Sequence, residues 1–442
     1  MEKEYDIIII GTGVAGGAFA ARLPSDMNVA VIDSREYGGT CANRGCDPKK
    51  VLVGAAELID WNNRMEGKGG PEHKGMDWPS LMSFKRTFTD DVPENVENYF
   101  SSRGMDKYHG AAHFRDESTI AVGDDLLRGK YIFIATGAEP RNLDIPGEEY
   151  VITSEQFLEL DDIPKRIIFI GGGYISFEFA HVAARAGCDV SILQRDDLPL
   201  AGFDRDMVDM LFKASKAAGI KIYLDKKVNG IEKKGDEFFV KTEGDEVFEG
   251  DLVVHGAGRL PAINKLDLEK GNVAVERGAI AVNEYMQSVS NPVVYAAGDC
   301  TKVSFALTPV ANYQANVAAE NILEGNKRKV DHTAIPSTVF TIPPLATVGI
   351  RGDDAKPEHK VLYYDMSQWY SARRTNLGFA ASKVIIDEKT DRILGAHIMG
   401  HNAEDVINLF AMAMRLNLTL SQFKEAIFVY PSICYDTRYM IK

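Results

Sequence analysis

Two stretches of this chain carry one signature: an apolar strand, a glycine-rich turn, a helix of small residues and a second strand. In the first, Asp6-Ile7-Ile8-Ile9-Ile10 is apolar on both sides and rich in β-branched residues, as in a strand covered by helices on both faces. It enters Gly11-Thr12-Gly13-Val14-Ala15-Gly16, and Val29-Ala30-Val31-Ile32-Asp33 follows as the next strand. In the second, Arg166-Ile167-Ile168-Phe169-Ile170 enters Gly171-Gly172-Gly173-Tyr174-Ile175-Ser176, and Val190-Ser191-Ile192-Leu193 returns. Each is a βαβ unit, so the chain must build two parallel sheets with separate cores.

The first turn fits a dinucleotide fingerprint. Gly11, Gly13 and Gly16 let backbone N–H groups and a helix N-terminus approach a pyrophosphate, and Asp33 ends the next strand where a ribose hydroxyl would need an acceptor. A tight packing turn would use the same small residues but would not require the acid. The second turn differs. Ser176 replaces the third glycine, and the strand after it ends in Gln194 and Arg195 rather than a carboxylate. A guanidinium suits a 2′-phosphate where a carboxylate would suit a 2′-hydroxyl, so NADPH is expected over NADH. The competing reading of Arg195 is a solvated loop charge.

Beyond these units, strands are expected at Tyr131–Ala135, Val253–Val254 and Val293–Ala297, and an exposed loop at Asn62–Trp78. After about Asp331 the pattern becomes antiparallel α+β, with strands at Ile335–Thr341 and Lys383–Asp387 and a helix at Ala403–Arg415. The 442 residues allow two to four domains at roughly 100–200 residues each.

Lys plus Arg is 50 against 64 Asp plus Glu, a balance of −14 that argues against a nucleic-acid or anionic-membrane surface. No apolar run reaches the ~18 residues of a membrane span, and the N-terminus moves straight into a strand, so a cytoplasmic protein is expected. Five cysteines are too few for a disulfide scaffold in a chain of this size. Two of them nevertheless stand close together, in Cys41-Ala42-Asn43-Arg44-Gly45-Cys46. In an ideal helix, residues five apart rise ~7.5 Å, beyond the usual disulfide Cα range of about 4.4–6.8 Å. Bridging therefore needs a local distortion, which Gly45 permits, and such a bridge would be redox-active. Zinc ligation is the competing reading, but Cys188, Cys300 and Cys434 are scattered and supply no second pair.

The segment Gly39-Thr40-Cys41-Ala42-Asn43-Arg44-Gly45-Cys46-Asp47-Pro48-Lys49-Lys50 resembles the active-site signature of the flavin-dependent pyridine nucleotide-disulfide oxidoreductases. Glutathione reductase, dihydrolipoamide dehydrogenase and mercuric reductase belong to that family. Ala135-Thr136-Gly137, Gly256-Ala257-Gly258-Arg259, Ala297-Gly298-Asp299, Leu307-Thr308-Pro309-Val310-Ala311 and Pro343-Pro344 match it in order, so the resemblance covers nearly the whole chain.

The resemblance implies an α/β protein with two Rossmann-like domains, for FAD and NADPH, and a C-terminal α+β dimerisation domain. The FAD domain would take residues 1–148 and 261–330, the NAD(P) domain 149–260 and the interface domain 331–442. It implies that Cys46 faces the flavin and forms the charge-transfer thiolate, that Cys41 exchanges with substrate, and that Lys50 and Glu178 are the ion pair near the flavin N5. Tyr174 would be the aromatic lid over the nicotinamide, Asp299 the carboxylate on the ribityl chain, and Arg195 the phosphate contact. Gly11, Gly13, Gly16, Asp33, Thr40, Thr136, Gly137, Gly171, Gly173, Gly258 and Ala311 would complete the cofactor sites.

One departure bears on the acceptor. The family places a His-Pro segment near the C-terminus and a Glu five residues after the His, a dyad that protonates the leaving thiolate across a dimer interface. Here Tyr430 and Tyr435 hold those positions, in Tyr430-Pro431-Ser432-Ile433-Cys434-Tyr435-Asp436. A phenol is a poor proton shuttle near neutrality beside an imidazole, whose ordinary pKa is about 6.5. Mercuric reductases also have Tyr where the dyad His would be, although the vicinal cysteines of their tail are missing here. The expected protein is a homodimeric NADPH oxidoreductase whose Cys41–Cys46 pair reduces a small disulfide or related acceptor, with mercuric-ion reduction as the runner-up. Dihydrolipoamide oxidation, and a flavin-bound redox sensor without efficient turnover, are the remaining alternatives.

Overall fold

The computed structural model describes residues 2–70, 75–302 and 305–442. It comprises two compact units, each discontinuous in sequence: Met1–Lys49, Phe84–Arg141 and Arg259–Asp331 form one, and Lys50–Ser83, Asn142–Gly258 and His332–Lys442 the other.

The first unit is built on a seven-stranded sheet. Strand β1 (Glu2–Ile10) lies between β2 (Val29–Asp33) and the strand Asp125–Ile134, parallel to both, and the strand Val294–Ala296 runs parallel on the far side of Asp125–Ile134. Alternation divides β1 between two cores. Ile7 and Ile9 enter one with Phe19 and Phe133, while Ile8 and Ile10 enter the other with Phe114 and Ile134. Helix α1 (Val14–Arg22) lies against the helix Thr308–Glu324, and Phe19 stacks on Phe133 with centroids 3.8 Å apart. The small residues after Gly16 permit this close approach.

The second unit holds a four-stranded parallel sheet in the order Lys221–Tyr223, Asp189–Leu193, Arg166–Ile170, Leu252–His255. It also holds a five-stranded antiparallel sheet in the order Ser337–Val339, Leu345–Gly349, Arg392–Met399, Ala381–Asp387, His359–Asp365, against which the helix Ala403–Arg415 lies. A buried ion pair splices the two parts. Lys383 Nζ stands 2.8 Å from Asp204 Oδ1, and Asp204 also accepts the Gly352 N–H at 2.8 Å. Removing Lys383 would leave Asp204 charged and buried, a loss that typically costs about 3–5 kcal/mol, whereas Lys383 has a second partner in Asp206 Oδ2 at 2.5 Å.

The Asn62–Trp78 loop is shorter than expected. Residues 62–65 are the last turn of helix α3 (Cys46–Met65), and Trp78 opens the next helix with its ring buried and Nε1 donating to the Leu160 carbonyl at 2.8 Å. Residues 71–74 of that segment lie outside the described residues. No helix among the described residues is long and apolar enough to cross a membrane.

Candidate active site

In both parallel sheets the candidate residues follow the carboxyl ends of strands, where ligands bind in doubly wound folds. Gly11 follows β1, Asp33 ends β2, Thr136 and Gly137 follow Asp125–Ile134, and Asp299 follows Val294–Ala296. The Asp33 carboxylate braces the glycine turn: Thr12 donates to Oδ2 from its N–H at 2.8 Å and from its hydroxyl at 2.6 Å. A side chain at Gly16 is impossible, because its Cβ would lie 2.0 Å from the Gly11 carbonyl oxygen.

These residues form a cradle that fits a dinucleotide. Helix α1 begins at Gly13 with no side chain capping its first N–H groups, and a Cβ on Gly39 would lie 2.4 Å from the Gly13 Cα. Bare backbone with free donors at a helix N-terminus is what a pyrophosphate requires. Burial raises the Asp299 carboxyl above the usual range, partly offset by Arg259. Ala311 is buried on the helix Thr308–Glu324, where a Cβ at Gly298 would meet its methyl at 3.2 Å.

The second sheet repeats the plan with different parts. Gly171 follows Arg166–Ile170, Gly173 caps the helix Tyr174–Arg185, Gln194 follows Asp189–Leu193, and Gly258 closes the turn after Leu252–His255. Gln194 does what Asp33 does in the first unit: its Oε1 accepts the Gly172 N–H at 2.7 Å. The sequence shows a neutral residue there, and the structure shows a loop brace. Ser176 stands where the first unit has Gly16, and its hydroxyl takes up space that Gly256 leaves open, since a Cβ on Gly256 would lie 1.9 Å from Ser176 Oγ. Arg195 is exposed, with Nε 2.9 Å from Asp196 Oδ2, and Tyr174 is half exposed at the start of its helix.

The two cysteines lie at a helix break. Helix α2 (Gly39–Arg44) ends at Gly45, whose φ of −140° and ψ of −114° are not helical, and α3 starts afresh at Cys46. A Cβ on Gly45 would stand 2.8 Å from the Thr40 carbonyl oxygen and 3.2 Å from the Cys41 Cα. The distortion expected at Gly45 is therefore present, and it brings the side chains of Cys41 and Cys46 together as free thiols, the first half-buried and the second exposed. Thr308, at the start of its helix, donates to Cys41 Sγ at 3.2 Å, and its hydroxyl lies 3.5 Å from Cys46 Sγ.

One proton is shared unequally. The hydrogen bond from Cys41 lowers the Cys46 thiol to about 6, helped by Thr308 and the nearby Lys49 ammonium and opposed by burial. The same bond, with burial, pushes Cys41 far up. The pair thus favours a thiolate at Cys46 and a thiol at Cys41 near neutrality.

Lys50 and Glu178 meet at a third residue. The Lys50 ammonium stands 4.6 Å over the Phe340 ring and 3.9 and 3.7 Å from carboxylate oxygens of Glu57 and Glu404. Glu178 Oε1 accepts the Phe340 N–H at 2.8 Å. Sequence reasoning passed over Phe340 and Thr308. Thr308 had one signal, its place in the stretch Leu307–Ala311 that matches the family pattern.

At the C-terminal segment, Tyr430 is exposed and its ring centroid lies 5.0 Å from that of Tyr435, edge to face. Burial raises Cys434 and Asp436 above their ordinary values, and Ser371 Oγ donates to the Asp436 carboxylate. No histidine lies between residues 402 and 442.

Residues 5–315 match the family model described as pyridine nucleotide-disulphide oxidoreductase, and residues 335–437 match that of its dimerisation domain. The glutathione reductase of Nostoc sp. is 31% identical over 455 residues, covering 98% of each chain. The mercuric reductase of Staphylococcus aureus is 30% identical over 444 residues, covering 97% of this chain and 80% of that protein. The trypanothione reductase of Trypanosoma congolense is 31% identical over 468 residues, covering 98% of this chain and 94% of that protein. Among solved structures, the HOCl-induced flavoprotein disulfide reductase RclA from Escherichia coli matches with a TM-score of 0.89 at 27% identity over 99% of both chains. Its Cu(II) complex matches with a TM-score of 0.90, at the same identity and coverage.

Proposed function

Because the chain belongs to the pyridine nucleotide-disulphide oxidoreductases, an FAD-dependent family of enzymes, we propose that it spends NADPH to keep Cys41 and Cys46 reduced and passes their electrons to a soft or borderline metal ion. The bound flavin supplies hydride acceptance and electron relay. The chain's residues supply the rest. The cradle at Gly11, Gly13 and Gly39 would hold its pyrophosphate, Asp33 a ribose and Asp299 the ribityl chain. Arg195 would hold the NADPH 2′-phosphate, since an exposed Arg–Asp pair is worth only ~0–1 kcal/mol and yields readily to a dianion. Tyr174 would cover the nicotinamide, and Lys50 with Glu178 would form the charged pair where hydride arrives.

The redox balance is simple. Hydride from NADPH converts the Cys41–Cys46 disulfide to one thiolate and one thiol, releasing NADP⁺. Re-oxidation to the disulfide returns two electrons and the Cys41 proton, enough to reduce one mercuric or two cupric ions. What carries this reading is the close Cys41–Cys46 pair, with Thr308 on both sulfurs and the lower pKa at Cys46, together with a C-terminal segment that offers phenols and no imidazole. Metal reduction needs electrons and a soft donor, not a proton delivered to a leaving thiolate. A homodimer, in which Tyr430 of one protomer faces the other's cysteines, accords with the dimerisation-domain match.

A second reading, reduction of a small disulfide, is favoured by the glutathione and trypanothione reductase relatives. Enzyme reduced anaerobically with NADPH and mixed with Hg(II), Cu(II), glutathione disulfide, lipoamide or a quinone separates the two. Rapid re-oxidation by a metal ion with slow re-oxidation by disulfides is expected. Disulfide turnover as fast as reduction by NADPH would overturn the metal assignment.

A further inference from the structure

Glu178, His181 and Arg185 fall on one face of the helix Tyr174–Arg185 at spacings of three and four residues. Each bonds the same short stretch of backbone, just after the strand Ser337–Val339. The Phe340 N–H donates to Glu178 Oε1 at 2.8 Å, the Ile342 N–H donates to His181 Nδ1 at 3.1 Å, and Arg185 Nη2 donates to the Ile342 carbonyl at 3.2 Å. The stretch is thereby fastened along two turns of the helix.

The clamp also reaches α3. Arg185 Nη2 lies 2.8 Å from Asp60 Oδ1, Arg64 Nε donates to Asp60 Oδ2 at 2.7 Å, and the Phe340 ring carries the Lys50 ammonium at 4.6 Å. His181 has one workable tautomer. Since Nδ1 accepts the Ile342 N–H, the proton sits on Nε2, which donates to Ser215 Oγ at 2.9 Å, and Ser215 donates to the Leu211 carbonyl at 2.8 Å. The ring is fully buried, and burial together with Arg185 keeps it neutral.

We propose that the segment Phe340–Ile342 is a positioning element of the reduction step, setting Lys50 and Glu178 relative to each other, with His181 and Arg185 as its anchors. This rests on the reading of Lys50 and Glu178 as the charged pair where hydride arrives. The two residues belong to helices far apart in sequence. Phe340 touches both, binding the carboxylate through a charge-assisted N–H and the ammonium through its ring face. Displacing either charge by about an ångström costs on the order of a hundredfold in rate where geometry is critical. A residue that sets both positions therefore acts on the rate constant, not on nucleotide affinity.

The test uses FAD-loaded enzyme mixed anaerobically with NADPH, following flavin reduction over a range of NADPH concentrations. Phe340→Leu keeps the backbone N–H and removes the ring. His181→Leu orphans the Ile342 N–H, and His181→Asn restores an acceptor near the Nδ1 position. Phe340→Leu and His181→Leu should lower the limiting rate constant by about tenfold or more with the NADPH Kd unchanged. They should also move the midpoint potential of the bound flavin to more negative values, and His181→Asn should recover most of both. Lys50→Met and Glu178→Gln serve as references. If these leave the rate constant intact, the reading of the charged pair fails and the inference with it. If they lower it while Phe340→Leu does not, the pair stands and the positioning role is overturned. A loss in Phe340→Leu that appears wholly in Kd or in FAD content also overturns it. Should His181→Leu fail to fold, Phe340→Leu decides alone.

Discussion

The Thr308 hydroxyl donates to Cys41 Sγ at 3.2 Å while lying 3.5 Å from Cys46 Sγ, so a single side chain touches both sulfurs of the redox pair. Its influence lowers both thiols. In the reduced enzyme, alkylation of Cys46 by a small haloacetamide should rise with pH through a midpoint of about 6 and then level off. Thr308→Val should move that midpoint upward and Thr308→Ser should keep it. An unchanged profile in Thr308→Val would remove Thr308 from the account of the thiolate.

Gly45→Ala should disable the pair without altering either sulfur. The added methyl would meet the backbone of Thr40 and Cys41, which cannot give, and overpacking of this kind costs about 1–3 kcal/mol. Thiol titration before and after oxidation should show that Cys41 and Cys46 no longer close. Normal closure would mean that the break between α2 and α3 is not required.

Arg195→Ala tests nucleotide choice. A hydrogen bond to a charged group contributes ~1.5–3 kcal/mol, so NADPH affinity should fall roughly ten- to a hundredfold while NADH affinity holds. Full retention of NADPH preference would show that another group reads the phosphate.

Restoring the family dyad probes the acceptor. Tyr430→His with Tyr435→Glu should raise disulfide turnover, by up to the ~10²–10⁴-fold of a positioned general acid, and leave metal-ion re-oxidation little changed. A double variant no faster with disulfides would point away from proton delivery as the limiting step.

Acid stability should report His401. Burial and Arg64 lower its pKa to about 4, against about 6.5 for an unfolded histidine. Between those values the unfolded chain binds more protons, so stability falls as pH drops through that window, by about 2–3 kcal/mol for this group. His401 Nε2 lies 3.0 Å from Arg64 Nη2, and His401→Gln retains an acceptor that takes up no proton. Its denaturation midpoint should decline less steeply with acidification, and an identical decline would assign the acid sensitivity to His181 and other groups.

The legible parts of the molecule are those where local pattern and global fold agree. The helix Ala403–Arg415 and the strand Arg166–Ile170 stand where periodicity puts them, because amphipathic spacing and two-sided apolar runs are decided within a few residues. Asn62–Trp78 misled because Gly, Lys and Glu mark exposure, and the last turn of a long helix is exposed as readily as a loop. Gln194 has a second role that its identity does not announce. The sequence shows that no carboxylate ends that strand, and the hold on Gly172 is visible only once the loop is folded. The roles of Phe340 and Thr308 left no local trace, since each acts on residues far away in the chain.

The discontinuity of the first unit has a bearing on synthesis. A nascent chain emerging from its N-terminus has β1, β2 and Asp125–Ile134 early, yet the strand Val294–Ala296 and the helix that covers α1 arrive much later. Until Glu324 has been made, Phe19 and Phe133 lack the Ala315, Ala318 and Ala319 surface that completes their core. On the ribosome, then, the unit begun first cannot finish first. A fragment truncated at Arg141 would hold the cysteines without Thr308, and would expose an apolar sheet face for a chaperone to guard.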